Sequence, residues 1–248
     1  MAAQDNQVHY SLTLAGETLS CSFSQPDAAS FFGPWLSGPF PGPGSVSVPD
    51  FFRADWARVI SPWTPHAEYS AFSMPASCAL MEHDRFLFHA VALLCHGCAW
   101  LICGPSGVGK TTQADTLIRE HPGDFAYISG DRPVIEIRGD KQVWIHPSPW
   151  NGKENNAGSS SAPLGGIVFL FRGDNNSFES FSPARAAAYG FSSVLHMGAS
   201  VEELHRVGKL TDSLLSSVPL WRLTSFDVPS STHMLFDSVF REVCGYGV

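Results

Sequence analysis

Apolar residues along this chain fall into two rhythms, short runs of strand length and longer stretches spaced for a helix. "VHYSLTLAG" and "TLSCSFS" alternate apolar with polar residues and predict two strands around a Gly16-Glu17 turn. "FFGPWLSGPFPGPGSVSVP", residues 31–49, is too rich in glycine and proline for a helix and predicts an irregular, aromatic surface loop. "AEYSAFSMPASCALMEHDRFLFHAVALLC" predicts further extended segments, with "FLFHAVALLC" and "CAWLIC" as short apolar strands. "KTTQADTLIREH" predicts a helix with Leu117 and Ile118 on its apolar side. "DFAYIS" predicts a strand ending at Gly130-Asp131, and "RPVIEIRGDKQVWIHP" a hairpin turning at Gly139-Asp140. "GGIVFLF" and "PLWRLTSF" predict strands. Between them lie two helical patterns, "SPARAAAYGFSSVLHM" and "SVEELHRVGKLTDSLLSSV". Ser182 caps the first of these, with Pro183 at its first position. "SSTHMLFDSVFREV" predicts a closing helix. Strands alternating with helices give an α/β class. With neither internal repeats nor a linker, residues 1–80 are expected as a strand-rich part packed on the same domain as residues 81–248.

Composition narrows the classes. Of 248 residues, 44% are hydrophobic and 15% charged, enough for a sizeable core and too little charge for a disordered chain. The net charge of −8 and the lack of any Lys/Arg run disfavour nucleic acid as a partner. "MAAQDNQVHYSL" has neither a basic nor an apolar leader segment. The most apolar stretch, Leu87 to Cys103, is interrupted by His89, His96 and Gly97 and fails as a membrane span. The six cysteines therefore read as reduced thiols, and the expected location is cytoplasmic.

"LICGPSGVGKTT" carries the most specific chemistry. Gly104, Pro105, Ser106, Gly107, Val108, Gly109, Lys110 and Thr111 satisfy G-x-x-x-x-G-K-[ST], followed by Thr112, with a strand before and a helix after. Such a loop turns successive backbone N–H groups toward phosphate oxygens, reaches them with its lysine and ligates Mg²⁺ through the threonine hydroxyl. An acid on a neighbouring strand end should hold Mg²⁺ or orient a nucleophile. Asp131 has that placement, and an ordinary turn or capping aspartate has it too.

His96-Gly97 reads as a two-residue hairpin turn. The register then sets Cys95 opposite Cys98, Leu93 opposite Trp100, Val91 opposite Ile102 and His89 opposite Gly104. A histidine there can polarise an acid or accept a proton, or can be a buried histidine satisfied by a carbonyl. "CHGC" has only half the ligands of a zinc site, and its plain reading is two cysteines flanking a turn.

Taken in order, "FHAVAL", the hairpin, "GPSGVGKTT", "ISGDRPVIEI", "HPSPWNGKE" and "APLGGIVFLFRG" resemble the C-terminal domain of the HPr serine kinase/phosphorylase family and its shorter relatives, over roughly residues 8 to 245. That resemblance implies the phosphate-loop fold shared with phosphoenolpyruvate carboxykinase. It implies ATP and Mg²⁺ at Lys110 and Thr111, a catalytic role for His89, and a base at Asp131. The family usually has two adjacent acids, and here Gly130 stands in place of the first. Trp150, Gly152 and Lys153 match a loop near the site. Lys153 is then either a γ-phosphate ligand or a solvated loop lysine. The resemblance does not take in the family's additional domain or the C-terminal elements that engage HPr, so it does not imply HPr as substrate.

The expected function is a kinase that passes the γ-phosphate of ATP to a hydroxyl of a protein, a peptide or a small molecule. A homo-oligomer is compatible with it. The alternative is a nucleotide-binding regulatory module without transfer chemistry. A carboxykinase would need metal-binding Lys and His plus an Arg for a carboxylate, a set the sequence does not assemble.

Overall fold

The computed structural model describes residues 9–38, 45–57 and 62–246. Residues 39–44 of the Gly/Pro-rich stretch lie outside them. Strands β1 (His9–Leu14) and β2 (Glu17–Ser22) pair antiparallel with Leu14 opposite Glu17, so the turn is Ala15-Gly16, one residue earlier than expected. Between β2 and the short β3 (Leu36–Ser37), which joins β1, Pro26–Trp35 forms 3₁₀ turns kinked at Gly33. This corrects the expectation of an irregular loop over residues 31–35; residues 45–49 carry only an isolated bridge, Val46 with Cys21. Single 3₁₀ turns need few hydrogen bonds and tolerate a proline at their start. Phe32 fixes them by burying its ring between Phe72 and Trp150.

After α1 (Asp50–Ala57) comes a second correction. Pro65–Leu80 is a helix, α2, not a series of extended segments. Thr64 caps it by accepting from Ala67 N, and Pro65 occupies the first position. Its buried positions, Ala67, Ala71, Phe72, Ala76 and Leu80, follow helical spacing. The carboxylate of Glu68, also buried, accepts from Ser24 N, Ser24 Oγ and Gln25 N and ties α2 to the end of β2.

The remaining elements are β4 (Arg85–Leu87), β5 (Ala90–Cys95), β6 (Cys98–Cys103), α3 (Lys110–Glu120), β7 (Phe125–Ser129), β8 (Val134–Ile137), β9 (Val143–His146), β10 (Ala162–Arg172), β11 (Ser177–Ser180), α4 (Pro183–Ser193), α5 (Val201–Leu215), β12 (Leu220–Ser225) and α6 (Val228–Leu235). A π turn, Phe236–Phe240, continues α6 into α7 (Arg241–Val243). The main sheet runs β4-β8-β9-β10-β6-β5-β7, with β12 on β10 and β11 on β12. Alternation sends Ala92, Leu101 and Phe169 to one face, against α4 and α5. Val91, Leu93, Ile102 and Val168 face α3 and the α6 run on the other. The chain is thus mixed α/β. Among the described residues, no helix is long and apolar enough to cross a membrane.

Strands β6, β10 and β12 are mutually parallel. β5 runs antiparallel to both β6 and β7, so β7 points the same way as β6. The carboxyl ends of β6 and β7 and the amino end of β5 therefore share one edge of the sheet. Open α/β sheets place their ligand sites at such an edge.

Candidate active site

Beyond β6 the backbone enters the loop at Gly104, whose φ is 151°. A Cβ there would meet Leu170 O at 2.7 Å, so β10 walls the loop closely enough to admit only glycine. α3 then starts at Lys110 behind Gly109, which is left-handed and supplies no side-chain cap. The first-turn amides of a helix have no acceptor within it. Here no side chain takes that role at the N-cap, and the positive end of the helix dipole reinforces the preference for an anion. Pro105, Ser106, Gly107 and Thr112 are exposed, while Val108, Gly109 and Thr111 are half-buried. Lys110 is buried. Its Nζ donates to Gly104 O (2.8 Å) and Pro105 O (3.2 Å) and lies 3.2 Å from His89 Nε2. Burial pulls its pKa down, against the opposing pull of Asp131 and Cys103.

The hairpin has the expected register, from Cys95 opposite Cys98 to Ala90 opposite Cys103. The apolar run "FLFHAVALLC" nonetheless breaks at Phe88-His89. Phe88 N donates to Pro133 O and His89 N to Ser193 O, which carries the chain from the side of β8 to the side of β6. His89 therefore sits at the amino end of β5 beside the loop, off the ladder. Its Nε2 is 3.4 Å from Asp131 Oδ1 as well as 3.2 Å from Lys110 Nζ. With a proton, that nitrogen serves Asp131; without one, it accepts from Lys110. Asp131 follows β7, its backbone carbonyl accepting from Ala90 N, and its Oδ2 pairs with Arg132 Nε at 3.1 Å. Burial works against the charge on Asp131. The His89 hydrogen bond and the charges of Arg132 and Lys110 outweigh it and hold the carboxyl below the usual carboxylate range.

A second acid is absent for a steric reason. A Cβ at Gly130 would lie 2.5 Å from Asn151 O and 3.0 Å from Asn156 O, because the 151–157 segment packs against the end of β7. Trp150 holds that segment in place. It is buried, stacks on Tyr69 and donates from Nε1 to Tyr69 O. Exposed Lys153 lines a cavity of about 250 Å³ with Asp131, Arg132, His66, Tyr69, Ser70 and Trp150. A larger cavity of about 570 Å³, lined by Phe31, Pro34, Trp35 and Pro149 among others, has no ionisable side chain. The smaller one holds Asp131 and Arg132, and His89 lines two others, one with Gly104 and Pro105 of the loop and one with Arg132, so the ionisable groups gather on this side of the molecule.

Arg132 enters the sequence reading only as part of the family resemblance, with no role in the site. Besides pairing with Asp131, its Nη1 donates to Ser70 O and Ser73 Oγ of α2. The only available signal was its position directly after Asp131, and its use depends on a helix the sequence did not reveal.

No family model and no curated protein matches the chain. Among solved structures it is similar to the Hpr(Ser) kinase/phosphatase from Coxiella burnetii. The TM-score is 0.35 and the identity 9%, over 63% of this chain and 94% of that one.

Proposed function

We propose that this protein is an ATP-dependent phosphotransferase that passes the γ-phosphate to a hydroxyl, on a serine of a protein or peptide or on a small molecule. One observation carries the reading. Lys110, His89 and Asp131, from three separate segments, converge within hydrogen-bond and ion-pair distance beside a helix N-terminus that has no side-chain cap. The residues present fit Mg²⁺–ATP. Gly104 lets the loop lie against β10 closer than a Cβ would allow, and the amides of 106–112 with Lys110 would hold the phosphates. The Thr111 hydroxyl and an Asp131 oxygen would hold Mg²⁺. Bound Mg²⁺–ATP supplies an electrophilic phosphorus. Asp131, ionised at neutral pH, would accept the hydrogen bond of the acceptor hydroxyl and take its proton as the new O–P bond forms and the bond from the γ-phosphorus to the β–γ bridging oxygen breaks, with ADP as the leaving group. His89 holds the carboxylate in place, and Lys110 balances the charge that develops on phosphate oxygens. Lys153, which lines a cavity with Asp131, would meet the γ-phosphate.

A nucleotide-binding regulatory module is the second reading, favoured by the packing that keeps an acid out of position 130. Incubation with γ-labelled ATP and a panel of serine peptides and small alcohols separates the two. Label on an acceptor, lost in Asp131→Asn, is the expected result. Nucleotide binding that depends on Lys110, with label never leaving ATP except to water, would replace the kinase with the module. No nucleotide binding at all would remove both.

A further inference from the structure

A cluster of soft ligands lies at the other end of the β5–β6 hairpin. Cys95 Sγ, at the end of β5, is 3.5 Å from Cys244 Sγ, which arrives from the C-terminal helical run. A ring nitrogen of His96 joins them, and the three donor atoms all lie within 4.8 Å of one another. Two sulfurs on one tetrahedral zinc, each at about 2.3 Å, sit about 3.8 Å apart, so this pair is already near that spacing. His96 Nε2 is 3.2 Å from Asp124 Oδ1, and the other Asp124 oxygen accepts from Tyr246 OH at 2.9 Å. A metal-binding histidine is commonly oriented in this way by a carboxylate on its second nitrogen.

We propose that Cys95, Cys244 and His96 form a binding site for a thiophilic divalent cation, zinc, with Asp124 as the orienting carboxylate. His96 binds the metal through one ring nitrogen and Asp124 orients the ring, with water in the fourth position. Two thiolates neutralise the dication, and each thiol releases its proton to solvent as its sulfur binds. "CHGC" contributes one sulfur and one nitrogen. The second sulfur comes from 149 residues away, so the spacing of the motif could not announce the site. The metal fastens the C-terminal segment to the hairpin tip, closing a long loop. It lies about 20 Å from the phosphate loop, the length of β6 at roughly 3.3 Å per residue. It is therefore independent of the nucleotide chemistry.

The test is titration of the fully reduced protein with Co²⁺, then Zn²⁺. The expected result is one cobalt per chain with a thiolate-to-cobalt charge-transfer band, displaced by zinc. Cys244→Ser should lose about half the band, one thiolate of two remaining, with a shift to weaker binding. Asp124→Asn should weaken affinity about 10–100-fold. His96→Gln, at an exposed turn, gives a second variant with little risk to folding, and it should weaken cobalt binding while both thiolates stay available. Cys98→Ser should leave the band intact. The absence of a band in reduced, folded protein would overturn the proposal. An unchanged band in Cys244→Ser, or an equal loss in Cys98→Ser, would overturn the ligand set. An isolated protein lighter by two hydrogens, whose reduced form binds no cobalt, would make the pair a disulfide and overturn the metal.

Discussion

His89 stands between a cation and an anion, and its replacement separates two roles. If it holds Asp131 for proton transfer, His89→Ala lowers kcat by roughly 10²–10⁴-fold while nucleotide affinity stays nearly constant. If it only satisfies its neighbours, the loss appears as about 1–3 kcal/mol of stability with normal turnover per folded molecule. Turnover and thermal melting on one preparation distinguish them. Gly130→Asp, which would restore a paired acid, is expected to lower the melting temperature and not to raise turnover. Its Cβ would collide with the backbone at Asn151. A stable variant with faster turnover would contradict that packing argument. Asp131 also sets a pH dependence. Burial opposes its charge, but His89, Arg132 and Lys110 hold its folded pKa below the unfolded value of about 3.9. Its ionisation thus contributes stability that is fully present above that value and lost as pH falls through the folded one. Arg132→Gln removes one of the lowering charges, so the acid limb of the kcat/KM profile should move to higher pH. A limb that does not move would detach Arg132 from the carboxylate.

α2 forms one wall of the reacting cavity and anchors Arg132, so its attachment governs the site. Glu68→Ala leaves the amides of Ser24 and Gln25 without their acceptor and should cost about 1–3 kcal/mol in a denaturant titration. No measurable loss would mean that water replaces the carboxylate there. This helix was the least legible element in the sequence. Pro75 and the scattered serines break its apolar stripe. The hairpin was the most legible, because a two-residue turn admits one register, and that register brought His89 toward the loop. Lys110 was readable from local spacing alone. Arg132 was not, since its partners Ser70 and Ser73 depend on how α2 docks, and docking is a tertiary property. The collision at Gly130 was equally hidden, because the residues that crowd it lie beyond the next hairpin.

At the scale of the whole molecule, β10 binds the parts together. Ala162 and Pro163 pair with β9, later residues pair with β6, and from Ile167 onward with β12. The N-terminal part shares a core with α2, Leu87, Val134 and Trp150. One cooperative transition is therefore expected, with tryptophan fluorescence and far-UV circular dichroism coinciding in urea. An earlier, separate loss of the N-terminal strands would make residues 1–80 an independent unit. The same strand has a consequence for synthesis. The β5–β6 hairpin closes locally within microseconds, while parallel pairing must wait for a distant partner. A nascent chain thus displays the whole phosphate-loop motif long before the Leu170 carbonyl exists to wall Gly104. A ribosome paused ahead of β10 would present the loop's full sequence without its shape.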